Sequence, residues 1–175
     1  MTSPDHRQLP PALAAVAAIA FDCADGEGVD YEPYPAFLSA AETTDSIRAW
    51  TGNNTLTGEN LRIFGMDGTG GEAAFWLVRA DQPLTAQPIV FLGSEGETGV
   101  VARDLDSFLW LLADGMGPYE ATDPQIRDRA PRPNPELTAI ALQFAQTPRQ
   151  SAAEVIRAAA EEFPDFEDRM RALCR

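Results

Sequence analysis

Apolar residues recur at three- and four-residue intervals toward both ends of the chain, whereas the middle alternates or is apolar without break; helices are therefore expected to flank a block of strands. The run from Leu9 to Phe21 reads as a helix opened by Pro11, with Leu13, Val16, Ala17 and Ala20 on one side. An acidic loop with glycines, Ala24 to Glu32, ends it. A second helix is expected from Pro35 to Trp50, burying Phe37, Leu38, Ala41, Ile47 and Trp50, with a weak middle at Thr43 and Thr44. Gly52-Asn53-Asn54 then marks a turn.

Four short runs follow, Leu61 to Phe64, Ala73 to Arg79, Pro88 to Leu92 and Gly99 to Ala102, each rich in β-branched or aromatic residues and bounded by Gly, Pro, Asp or Asn. Their connections are too short for crossover helices, which predicts an antiparallel meander. Phe75 and Leu77 fall on one face, Trp76 and Val78 on the other, so both faces of the sheet need cover. A helix capped by Asp104 or Asp106 supplies part of it, with Leu105, Phe108, Leu109 and Leu112 in one stripe and Trp110 and Leu111 on a second side, closed at Asp114-Gly115. The proline- and charge-rich stretch from Met116 to Asn134 reads as a tether.

Three helical segments close the chain. Asn134-Pro135 opens a stripe of Leu137, Ile140, Ala141 and Phe144, and Ser151 with Glu154 forms a capping box ahead of Val155, Ile156, Ala159 and Phe163. Pro164 precedes Phe166, Met170 and Leu173. These narrow stripes are expected on the sheet or on the Trp110 side of the central helix, in one continuous core. The fold class expected is α+β: a mainly antiparallel sheet of four or more strands flanked by helices, in a single domain over 1–175 with a C-terminal helical extension over 134–175.

Composition narrows the chemistry. The 175 residues carry 27 acidic and 13 basic side chains, a formal net charge of −14, which argues against nucleic-acid and membrane-surface partners and favours a basic one. All 13 basic residues are arginine. Without lysine there is no Walker-A loop, no kinase-type ATP-anchoring lysine and no Schiff-base chemistry. The single histidine, His6, sits in a polar leader beside Pro4, Asp5 and Pro10, so no Ser-His-Asp or Cys-His site is expected. Cys23 and Cys174 lack the spacing of a zinc or redox motif; no metal and no cofactor are expected. Ala18-Ile19-Ala20 has the form of a signal-peptidase site, but Asp5, Pro10 and Pro11 oppose export, and the expected location is cytoplasmic.

The glycine-rich acidic segments are the candidate sites. Phe64 to Glu72 could offer backbone N–H groups to an anion, or Asp67, Thr69 and Glu72 to a cation, yet it leads into a strand and brings no basic residue. Gly93 to Gly99 holds Ser94 without the strand-to-helix context of a nucleophile. If the intervening strands pair antiparallel, Asp67 and Glu72 come near Glu95 and Glu97, forming an acidic rim for a basic partner.

The order of these motifs resembles the SUKH superfamily of Smi-Knr type domains, over about 33–120. The residues that carry the likeness are Phe64-Gly65-x-Asp67-Gly68-Thr69-Gly70-Gly71, Ala74-Phe75-Trp76, Pro88 to Gly96, Val100-Val101-Ala102 and Asp106-x-Phe108-Leu109-x-Leu111-Leu112, and Trp50-Thr51-Gly52-Asn53 is similar to a bacterial branch. The C-terminal helices extend beyond the minimal family domain. The resemblance implies an α+β protein-binding module rather than an enzyme, and for the bacterial branch an immunity protein that neutralises a toxin, such as a nuclease, by direct binding. A housekeeping regulatory interaction module, and a small-molecule binder or hydrolase using the 67–72 loop, are the alternatives.

Overall fold

The computed structural model describes residues 6–175, so Pro4 and Asp5 of the leader lie outside the described residues. Its strands are β1 (Glu32–Pro33), β2 (Leu61–Met66), β3 (Glu72–Trp76), β4 (Ile89–Leu92) and β5 (Thr98–Ala102), joined antiparallel in chain order. The helices are α1 (Pro11–Ala17), α2 (Ala40–Thr51), α3 (Leu105–Ala113), α4 (Pro118–Thr122), α5 (Pro135–Phe144), α6 (Ala152–Glu162) and α7 (Phe166–Arg171). The α+β architecture expected from the pattern is the one observed. β1 is an addition, too short to leave a periodic signal.

Side-chain alternation divides the core in two. Phe64, Phe75, Ile89, Phe91 and Val101 point to the face covered by α1, α3, α5 and α6, while Leu61, Ile63, Trp76, Val90 and Leu92 meet Ile47 of α2 and Phe166 and Met170 of α7. The expected single core is therefore two clusters separated by the sheet. Phe75 and Trp76, adjacent in sequence, anchor one each.

α3 is the sandwiched helix. Asp104 caps it by accepting the Ser107 N–H at 2.8 Å, and every residue from Phe108 to Ala113 is buried. Its polar groups hold the following helices in place: Asp106 accepts the N–H groups of Gln146 and Thr147, Trp110 donates to the Thr147 carbonyl, and buried Asp114 accepts the Ala152 N–H at 2.8 Å. α5 and α6 thus pack where the Trp110 side predicted, whereas α7 crosses to the opposite face of the sheet.

Two local expectations are corrected. α2 begins at Ala40, not Pro35, because Ser39 and Glu42 form a reciprocal capping box; Phe37 and Leu38 precede the helix and pack on different core clusters. Thr43 and Thr44 lie near its start, and Thr43 is buried. The stretch from Met116 to Asn134 is no free tether: Met116, Ala121 and Glu120 are buried, and α4 sits against β4 and β5. Glu120 accepts the Asp30 N–H at 2.7 Å and the Gly117 N–H at 2.9 Å, tying α4 to the loop before β1. Arg129 donates to the carbonyls of Gly28 and Gly115.

Candidate functional site at the glycine-turn end of the sheet

The strand register aligns Met66, Glu72, Leu92 and Thr98 across the sheet, so the turns over 67–71 and 93–97 leave the same end side by side. They touch: the Ser94 hydroxyl donates to Thr69 Oγ1 at 2.7 Å. Glycine is required at both. A Cβ on Gly71 would lie 2.5 Å from the Phe91 ring, and one on Gly93 would lie 2.3 Å from the Glu97 carbonyl oxygen. The Trp50 indole of α2 donates to the Gly93 carbonyl at 2.9 Å, fastening the second turn to the helix layer.

The four carboxylates expected on this rim are placed differently. Asp67 is only 2% exposed; its Oδ1 accepts the Thr69 and Gly71 N–H groups at 2.9 and 2.7 Å and the Thr69 hydroxyl at 2.9 Å. That carboxylate shapes the turn from inside it, where the sequence pattern implies a charge on the rim. Asp30, from the loop before β1, accepts the Gly68 N–H at 2.8 Å and steadies the same turn.

Glu72 lies on the α2 face of the sheet by alternation with Ala74 and Trp76. It is half-buried, and its Oε1 accepts the Ser46 hydroxyl at 3.0 Å. Burial pushes its carboxyl above the usual range, partly opposed by that hydrogen bond. The Tyr34 phenol is pushed up to about 12, first by its own burial and then by the charges of Glu72 and Glu32. Glu95 is exposed at the tip of the second turn. Glu97 faces the α4 side, where its charge adds to the burial and the Asp123 hydrogen bond that push the Tyr119 phenol up to about 12. The turns meet as expected, but Glu72 and Glu97 lie on opposite sides of the sheet.

Between α2 and the two turns opens a groove of about 510 Å³, lined among others by Ser46, Trp50, Glu72, Ser94 and Cys174. The sequence pattern marks Trp50 only as an apolar stripe position and passes over Ser46. Their spacing of four residues places them on one helix face, but nothing local links that face to Glu72. His6 lies instead near Arg62 and Phe37, at the far end of β2, so Ser94 has no imidazole beside it. Cys23 and Cys174 are free and exposed, and no group of His, Cys, Asp and Glu among the described residues is placed to hold a metal. No helix among the described residues is long and apolar enough to cross a membrane.

Set against protein-family models, curated proteins and solved structures, the chain finds no significant match.

Proposed function

We propose that this chain is a protein-binding domain of the SUKH type, acting in the cytoplasm as an immunity protein that neutralises a basic toxin, such as a nuclease, by direct contact through the glycine-turn rim. The observation that carries the reading is the rim itself. Two turns of small residues meet there, held by the Ser94–Thr69 and Trp50–Gly93 hydrogen bonds, and they present Glu95 and the Glu72 groove in a chain of net charge −14. A surface already fixed by internal bonds loses little freedom on binding. Its charge also steers a cationic partner toward it. The chemistry present supports binding over acid–base catalysis: Ser94 donates to Thr69 and not to a base, and Glu72, engaged by the Ser46 hydroxyl, is the one carboxylate among the residues that line the groove.

The test is co-expression with the C-terminal domain of the polypeptide encoded immediately upstream. Restored growth and a one-to-one complex on size exclusion are expected; a chain that neither restores growth nor forms the complex overturns the immunity reading.

A further inference from the structure

Glu72 poses a physical question that the fold leaves unanswered. Its carboxylate is drawn half out of water, it accepts the Ser46 hydroxyl, and no ion pair of the described residues includes it. Several arginines are engaged elsewhere: Arg79 and Arg103 with Glu162, Arg132 with Glu27, and Arg149 with Asp114. An anionic group in such a place is stabilised by a cation brought from outside.

The walls of the groove narrow the identity of that cation. The Trp50 indole lines the same groove as the carboxylate and is held there by its bond to the Gly93 carbonyl. A guanidinium suits this pair better than an ammonium. It stacks on an aromatic ring, forks onto a carboxylate and sheds its water more readily. The negative charge of Glu72, with Glu95 on the adjoining turn, disfavours phosphate and carboxylate ligands.

Resting on the protein-binding reading above, we infer that this groove receives one arginine side chain presented by the partner protein, its guanidinium against Trp50 and hydrogen-bonded to Glu72. Ser46 acts as the positioning residue, holding Oε1 so that the rest of the carboxylate faces the groove.

The probe is acetyl-Gly-Arg-Gly-amide, titrated into the full chain while the indole N–H resonance of Trp50 is followed by NMR. The lysine and citrulline versions of the peptide serve as comparisons. Saturable shifts at Trp50, Ser46 and Gly93 are expected, at least about threefold tighter for arginine than for lysine, and absent for citrulline. Glu72→Gln should weaken the arginine peptide about tenfold or more with its amide spectrum otherwise retained. Shifts that do not saturate, or that are equal for citrulline or for Glu72→Gln, overturn the pocket. The two readings separate cleanly: failure of the peptide with the toxin domain still bound removes the pocket alone, and saturable peptide binding without toxin binding removes the immunity reading alone.

Discussion

Replacing Phe166 by alanine probes how far the C-terminal helices belong to the core. α7 has six residues, fewer than two turns, and a helix of that length does not persist by itself. Phe166 and Met170 attach it to the sheet. Phe166 is 2% exposed and its ring centre lies 4.9 Å from that of Trp76 in an edge arrangement, within the cluster that holds Ile47, Ile63 and Leu92. Removing a buried phenylalanine costs about 3–5 kcal/mol, of which the aromatic pair accounts for roughly 0.5–1.5 kcal/mol. For a chain of this size each kcal/mol lowers Tm by about 2–4 °C, which gives a drop of about 6–20 °C. Urea unfolding followed by tryptophan fluorescence, with calorimetry for Tm, measures it. Leu142→Ala is the control: Leu142 is 71% exposed, and its loss should change stability by no more than about 0.5 kcal/mol. A cost for Phe166→Ala below about 1 kcal/mol would refute the placement of α7 in the core.

Truncation after Pro133 removes Leu137, Ala141, Ala152 and Val155 from one face and Phe166 and Met170 from the other, so the shortened chain should be insoluble or lack a cooperative melt; a soluble product with the parent Tm contradicts this. Asp67→Ala leaves the Thr69 and Gly71 N–H groups without their acceptor and should cost about 1–3 kcal/mol in urea unfolding, whereas Glu95→Ala should stay within about 0.5 kcal/mol; equal effects would return Asp67 to the free rim. Burial raises the Glu120 carboxyl above its unfolded value, outweighing the Asp30 and Gly117 N–H groups and the Arg129 charge. The protonated form is therefore favoured in the native state, and this group's contribution to stability grows as pH falls through its raised pKa toward the unfolded value. The stability difference between the parent and Glu120→Gln should change across that interval in favour of the parent at lower pH; a difference independent of pH contradicts the assignment.

The sheet was legible because its central strands are apolar on both faces, and Phe75-Trp76 states in two residues that two layers must cover it. Caps were equally readable: Asp104, Asn134 and Ser151 each accept the N–H groups that their sequence positions imply. Errors arose where an apolar residue serves tertiary packing outside a regular element. Phe37 and Leu38 imitate the start of a helix, but they pack on opposite sides of the sheet, and the Ser39–Glu42 box was the governing signal. α4 has five residues and a buried glutamate, too little for a period to show.

At the rim, antiparallel pairing brought the turns together as the spacing implied, and strand alternation alone places Glu72 on the Trp76 face. Its groove was not legible, because Ser46 and Trp50 reach it from a helix whose packing against β2 is set by contacts far along the chain. Asp67 was ambiguous for a different reason. An aspartate two residues before a threonine and four before a glycine reads as surface charge or as a turn-former, and only the geometry, with three donors converging on Oδ1, decides between them.

The rim's role is tested most directly by stopped-flow association with the upstream-encoded toxin domain, comparing the parent with the triple variant Glu72→Gln, Glu95→Gln and Glu97→Gln at low and at physiological ionic strength. Asp67 is left in place so that the turn keeps its shape. The triple variant should fold with the parent's Tm and associate about tenfold more slowly at low salt, the gap narrowing as salt screens the charges. Equal association rates for the parent and the triple variant at low salt would contradict the assignment of this end of the sheet as the binding surface.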